Sequence, residues 1–495
     1  MKKITLLLAF TAFSFNLFAN DTIIFMWIAG TSKKTIRVYS TYDEQFTIDW
    51  KSDGTDVQTF IGDEGNGIPI SHTYDIPGVY TVTIAATNAT CRFRTLYCNN
   101  NQITALDVSN STKLESLYCS NNQLSVIDIS NNIELWRLDC CTNQLSALDV
   151  SNNTKLTIFE CTYNQLSALD VSNNTKLECL WCWGNKLTAL DMSNNTKLTK
   201  LWCFSNQLTI LDVSNNTKLT NLECSSNQLT VLNVSNNTEL TSLNCSNNKL
   251  IILDVSNNTE LTDLSCYSNS LPLSDLFAIS EKISNPNYKC LGQQNLVLLV
   301  PTTIGIPFGS GENIFNGIYT EYTAVKGDMP ALINEDYIIN EGIITFITAG
   351  HYTVTMTNDA ITSNLYYPAK VTIELPVLCP NATLSSLTIS NGKLTPEFKC
   401  NTYEYTIDVD YPISSINITA NTSYPNSTIT GDIGMHTLAV GENFFTITVT
   451  AEDGETAHNY IVTVSRAAPN TDATLLNLLI SEGELTPTLT YLFGK

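Results

Sequence analysis

The chain has 495 residues, more than a single hydrophobic core accommodates, and a net charge of −22 although only 15% of its residues are charged. Its basic residues are scattered, so the field repels nucleic acid and anionic membrane surfaces and suits cationic partners or divalent ions. Abundant Asn, Thr and Ser beside 43% hydrophobic residues favour extracellular β-architecture over a helical enzyme.

The chain opens with MKKITLLLAFTAFSFNLFAN. Lys2 and Lys3 precede an apolar run from Ile4 to Phe18 that ends at the small residue Ala19. Residues 1–19 therefore read as a secretory signal peptide, the run being too short to span a membrane. No Cys stands at the cleavage point and no transmembrane segment follows. The expected location is secreted or extracellular, with attachment to the cell surface left open.

Residues 20–90 alternate strands and turns through FTIDWKSDGTD and ISHTYDIPGVYTVTIAAT. The phrase from His72 to Thr83, with Trp50, Asp53 and Gly54 upstream, resembles a PKD-type immunoglobulin-like sandwich. Tyr80 is expected to pin a corner there.

Residues 91–284 are repetitive. Nine cysteines, Cys98, Cys119, Cys140, Cys161, Cys182, Cys203, Cys224, Cys245 and Cys266, fall twenty-one residues apart, each in LxxLxCxxNxL or a near variant. The pattern resembles the leucine-rich repeat, with Cys in place of a consensus Leu, and implies a solenoid of nine coils. Period-two alternation turns Leu180 and Cys182 inward and Trp181 and Trp183 outward. The second half of each coil, LDVSNN, alternates likewise, so each coil is expected to have two extended sides. Its asparagines are expected to bond backbone groups of the neighbouring coil. Side chains that point in parallel cannot join as disulfides, and the cysteines read as small buried hydrophobes. The coils stop at LPLSDLFAISEKISNPN, where Pro272 and Asp275 introduce a short helix with Leu276, Ile279 and Ile283 on one face that is expected to cap the last coil.

Residues 285–377 repeat the closing phrase as ITFITAGHYTVTMTND, Ile344 to Asp359, and read as a second immunoglobulin-like sandwich in which Tyr352 pins a corner. Residues 378–467 resemble the cadherin-like β-sandwich of bacterial surface proteins, from ATLSSLTISNGKLTPEF onward. Cys379 and Cys400 flank its first strands, and both a paired and an unpaired state fit. Residues 468–495 begin a second copy, ATLLNLLISEGELTP, and read as a truncated module. The order of these parts resembles bacterial secreted or surface leucine-rich repeat proteins of internalin-like and BspA-like layout. That resemblance implies attachment or recognition outside the cell and transfers no catalytic residue. The fold class is mostly β.

The four histidines are dispersed, and no HExxH, Walker loop, GxSxG or EF-hand loop is present. No enzymatic activity, metal site or cofactor is assigned. An Asp column, Asp107 to Asp254 with Asn233 in the seventh place, reads first as turn chemistry and second as a calcium ladder. Its mutual repulsion needs an offset, from Lys113, Lys155, Lys176, Lys197 and Lys218 or from the serines and amides of the following turn.

The Cys-side columns vary from coil to coil. Trp181, Trp183, Trp202 and Phe204 form a two-by-two aromatic block with Tyr163 beside it and Glu160 and Glu223 flanking it. These seven residues are the candidate ligand-binding site. The partner expected is an extracellular protein. The alternatives are a glycan, or a role as accessory region of an extracellular enzyme whose catalytic domain lies elsewhere.

Overall fold

The computed structural model describes residues 21–30, 33–297, 301–309 and 311–471. The signal peptide expected at 1–19 lies outside them, as does the partial module from residue 472 onward.

Strict alternation builds the N-terminal strands, with Ile23, Phe25, Trp27 and Ala29 of Thr22–Ala29 all turned into the core. Val57–Ile61, Gln45–Asp49, Gly78–Ala86 and Thr22–Ala29 form one antiparallel sheet in that order. Ile68–His72 pairs with Lys34–Ser40 in the facing sheet. The Tyr80 hydroxyl donates to the Ile76 carbonyl at 2.6 Å, which pins the entry to its strand.

These sheets continue past residue 90 instead of closing a free-standing domain. Thr22–Ala29 pairs with Ile103–Asp107, and Lys34–Ser40 pairs with Phe93–Tyr97. Each sheet of the sandwich thus runs into one side of the first coil. The open end of a solenoid offers unpaired strand edges, and two antiparallel strands close both of them at once.

In the solenoid, three-residue strands on the Cys side pair in parallel at a shift of one coil, joining Leu96, Leu117, Leu138, Phe159, Leu180, Leu201, Leu222, Leu243 and Leu264. All nine cysteines of the repeat are free and fully buried. Burial pushes their thiols up, that of Cys182 to about 12, so they pack as neutral groups. The asparagine three residues on completes the inter-coil bonding. Asn164 accepts from the Leu145 amide at 3.0 Å and donates to the carbonyls of Cys140 at 3.0 Å and Cys161 at 3.1 Å.

The Val side departs from the expected second strand. Beyond Ile103–Asp107 and one bridge from Asp107 to Asp128, its segments form no strand among the described residues. The reason is local: each Asp takes the amide of the Ser two residues on, as Asp170 does from Ser172 at 2.9 Å. That amide is then lost to a ladder. Coils are joined instead by buried asparagines, with Asn174 donating to the Val150 and Asn153 carbonyls at 3.0 Å each.

The helix Leu273–Lys282 closes the far end with Leu273, Leu276 and Ile279 buried, and Ile283 follows on the same face. Asp275 accepts from the Leu253 amide at 3.0 Å. The solenoid then continues for one turn beyond the expected end at 284. Lys289–Cys290 pairs in parallel with Asp263–Ser265, putting Lys289 in the Leu column and Leu291 after Cys266. Gln294 does the work of the ladder asparagine, accepting from the Asn269 amide at 3.2 Å and donating to the Cys266 carbonyl at 3.1 Å. The buried Lys289 ammonium donates to the Ser280 and Ile283 carbonyls at 2.6 and 2.7 Å.

Gln293–Val297 next joins Lys370–Leu378, Gly350–Thr357 and Glu321–Lys326 in the second sandwich. The Tyr352 hydroxyl donates to the Thr348 carbonyl at 3.0 Å, the same corner device as Tyr80. One apolar cluster runs from Ile23 to Val377, whereas the last module has a core of its own around Tyr405, Ile447, Tyr460 and Val462. That module packs a three-stranded sheet on a four-stranded one. Cys379 and Cys400 are joined there as a disulfide, with their Cα atoms 6.1 Å apart.

Candidate recognition face

Because the Cys-side strands pair in strict register, residues one coil apart stand in one column, ~4.8 Å from their neighbours. Glu160, Trp181, Trp202 and Glu223 are consecutive members of one column. Trp183 and Phe204 are neighbours in the next. The structure therefore brings all seven predicted residues onto one face.

Their contacts differ from the freely exposed block that the alternation suggested. Trp181, Trp183, Trp202 and Phe204 are half-buried, because each ring lies on the next. Trp181 and Trp202 stack with centroids 4.9 Å apart and planes 17° from parallel; Trp183 and Phe204 stack at 4.5 Å and 14°. Neither Trp181 nor Trp202 has an acceptor for its indole Nε1. Tyr163 meets Trp183 edge-on at 4.3 Å and is 56% exposed. Its φ of 49° is left-handed, a conformation that costs an aromatic residue about 1–2 kcal/mol. Gly184 makes room for the ring, since a Cβ there would lie 2.9 Å from Tyr163 Cδ1.

The carboxylates also have definite surroundings. Glu160 is buried and accepts from Arg137 at 2.9 Å. Burial, and then the charge of Asp139, raise its pKa. Asp139, Cys141 and Glu160 bring an oxygen, a sulfur and an oxygen within 4.8 Å of one another. Arg137 supplies the countercharge, and burial pushes the Cys141 thiol up to about 12. Glu223 is likewise raised by burial, against a hydrogen bond from Asn244.

A second pile of rings was not singled out in the sequence. Tyr39 packs on Tyr97 at 5.9 Å, and Tyr97 stacks on Tyr118 at 4.1 Å and 7°. Arg137 closes that pile, its guanidinium carbon 5.1 Å from the Tyr118 ring centre. Tyr97 and Tyr118 share the column of Trp181, so the 21-residue register carried the signal; Tyr39 comes from the N-terminal sandwich and was not legible that way. Two apolar features were also missed. Leu365 and Tyr366 are 93% and 89% exposed on a loop whose next residue, Tyr367, stacks on Tyr267 at 4.7 Å. Ile210, Val231 and Ile252 project from successive coils on the Val side, in the column that also holds the exposed Val126, with Ala147, Ala168 and Ala189 between.

The Asp column is held by its own turns. Asp107, Asp128, Asp149, Asp170, Asp191, Asp212 and Asp254 each accept from the amide two residues on, at 2.8–3.0 Å. Asn233 does the same at 3.0 Å without a charge. Hydrogen bonds from those serines hold Asp170, Asp191, Asp212 and Asp254 below the usual carboxylate range. Of the lysines offered as countercharges, Lys155 pairs with Glu134 instead. The four histidines lie on four separate strands: Ile68–His72, Gly350–Thr357, Gly434–Thr437 and Ala457–Arg466.

Residues 384–467 match the cadherin-like beta sandwich domain. The chain therefore joins a solenoid of 21-residue coils to a cadherin-like module. Residues 117–134, 203–223 and 245–268 match the LVIVD repeat. Among solved structures, the functional domain of InlJ from Listeria monocytogenes, described as including a cysteine ladder, is 29% identical. Its TM-score is 0.46 over 57% of this chain and 62% of that one. The internalin-like protein lmo2027 of the same organism is 18% identical, with a TM-score of 0.37 over 55% of this chain and 90% of its own. A putative membrane protein of Evansella cellulosilytica is 37% identical over 97 residues, and this chain spans 14% of its length. No helix among the described residues is long and apolar enough to cross a membrane.

Proposed function

We propose that this chain is a secreted or surface-exposed, non-catalytic binding protein that recognises an extracellular protein through the Cys side of its solenoid. One observation carries the reading: the aromatic block sits on the side where the backbone makes its own ladder, so its outward residues are free to differ from coil to coil. Tyr163, 56% exposed and edge-on to Trp183, extends that aromatic surface. The flanking Glu160 and Glu223 favour a partner with a basic rim. The sandwiches then act as caps and spacers.

The stacking also bears on the glycan alternative. A sugar ring needs an open aromatic face, and stacking spends one face each of Trp181, Trp202, Trp183 and Phe204, which leaves only the outer faces of the two pairs. The test presents the purified chain to an array of extracellular proteins and to a glycan array. Specific binding on the protein array that weakens in the Trp181→Ala, Trp202→Ala double variant is expected. Binding confined to the glycan array would replace this reading with the carbohydrate one.

A further inference from the structure

The two aromatic piles on the Cys side end differently. The first, Tyr39–Tyr97–Tyr118, presents its last ring to the third coil, where Arg137 covers it and pairs with Glu160. The second, Trp181–Trp202, presents its last ring to the seventh coil. Four coils separate the two ends, and the register matches them position by position. Trp202 stands for Tyr118, Asn221 for Arg137, Glu223 for Asp139 and Asn244 for Glu160.

The slot that holds a guanidinium at the first end therefore holds only an amide at the second. The Asn221 side chain is turned to its own neighbour, accepting from the Thr220 hydroxyl at 2.9 Å. The carboxylate that pairs with Arg137 is replaced by Asn244 here, and the acid at this end is Glu223, in the place of Asp139 and in register beside Trp202. Glu223 has a hydrogen bond from Asn244 and, among the described residues, takes part in none of the ion pairs. A half-buried carboxylate beside an uncapped indole face offers the two contacts a guanidinium makes best, an ion pair and a stack.

Resting on the protein-recognition reading above, we propose that the slot bounded by Trp202, Asn221 and Glu223 receives an arginine side chain of the protein partner. The ring contact repeats that of Arg137 on Tyr118, while the acid comes from the position of Asp139 instead of that of Glu160. Arginine fits better than lysine because a planar cation lies flat on the ring while its edge reaches the carboxylate.

The probe is N-acetyl-arginine amide, with N-acetyl-citrulline amide as its uncharged counterpart, titrated into the full chain while the indole Nε1–H resonance of Trp202 is followed by NMR. A saturable shift with the arginine probe and none with the citrulline probe is expected. Glu223→Gln removes the charge, and Asn221→Arg fills the slot from within. Each should weaken binding at least tenfold at an unchanged melting temperature, while Asp170→Asn leaves it unaltered. Equal binding of the two probes, or Glu223→Gln within twofold of the parent, would overturn the proposal. If these readouts fail while the Trp181→Ala, Trp202→Ala variant still loses the protein partner, the arginine slot falls and the recognition face stands. If they hold while no extracellular protein binds, the slot stands and the wider reading falls.

Discussion

On the Cys side of the solenoid each coil pairs its backbone with the next through short strands, and asparagine side chains supplement that ladder at one turn. On the Val side the Asp and Asn side chains capture the backbone themselves, and almost no strand forms. The difference decides where sequence can vary. A side chain committed to the backbone must be repeated in every coil, which is why Asp or Asn recurs from Asp107 to Asp254. The strand ladder on the Cys side does not depend on its outward side chains, so Tyr118, Asp139, Glu160, Trp181, Trp202 and Glu223 follow one another in a single column. Repetition marks the scaffold and variation marks the working surface.

The comparison can be broken most forcefully at a ladder asparagine. Asn185→Ala strips partners from the Leu166 amide and the Cys161 and Cys182 carbonyls, all inside the fold. Each buried group left unpaired costs about 1–3 kcal/mol, so a total loss of ~3 kcal/mol or more is expected in chemical denaturation. A loss below ~1 kcal/mol would mean that the strands alone hold the coils together.

The Trp181→Ala, Trp202→Ala double variant should be milder. The rings are half-buried and lie on each other, so the outward position does not make them free of stability. A loss of about 1–3 kcal/mol is expected from the removed stack and area. Asp191→Asn should cost almost nothing in the same measurement, because Asn233 already makes the equivalent bond to Ser235 at 3.0 Å.

Titration sharpens the contrast through opposite signs. On the Val side Asp170, Asp191 and Asp212 lie below the usual range. Their contribution to stability is present above the unfolded value, about 3.9, and is lost as pH falls through the lower folded value. On the Cys side Glu160 and Glu223 lie above the usual range. Their protonated forms favour folding, fully so below about 4.3, and that contribution disappears as pH rises through the folded value. Carboxyl resonances followed by NMR should therefore move apart on the two sides. Similar titration of both groups would remove the electrostatic part of the comparison.

Much of this was legible because one number, the twenty-one-residue period, sets burial at every position of the coil. It placed Leu180 and Cys182 inside, Trp181 and Trp183 outside, and the ladder role on residues such as Asn164. Repeated phrases likewise led to Tyr80 and Tyr352 at their corners. The tenth turn was hidden because Gln294 follows Asn269 by twenty-five residues and Lys289 stands in a leucine column. The missing Val-side strand was hidden because alternation records which face is buried and not which group takes the amide. The stacking of Trp181 on Trp202 is a contact between coils, visible only once adjacent strands are in register. The fusion of the N-terminal sandwich to the first coil, through Phe93–Tyr97 and Ile103–Asp107, was hidden for the same reason.

The division of labour between the two sides is tested most directly by measuring affinity for the captured protein partner in two double variants. Trp181→Ala with Trp202→Ala should lose at least about 2 kcal/mol of binding, roughly thirtyfold, while Asp170→Asn with Asp191→Asn stays within twofold of the parent. Binding that survives loss of the tryptophans and vanishes with the aspartates would contradict the account, by showing that the repeated side is the one that recognises the partner.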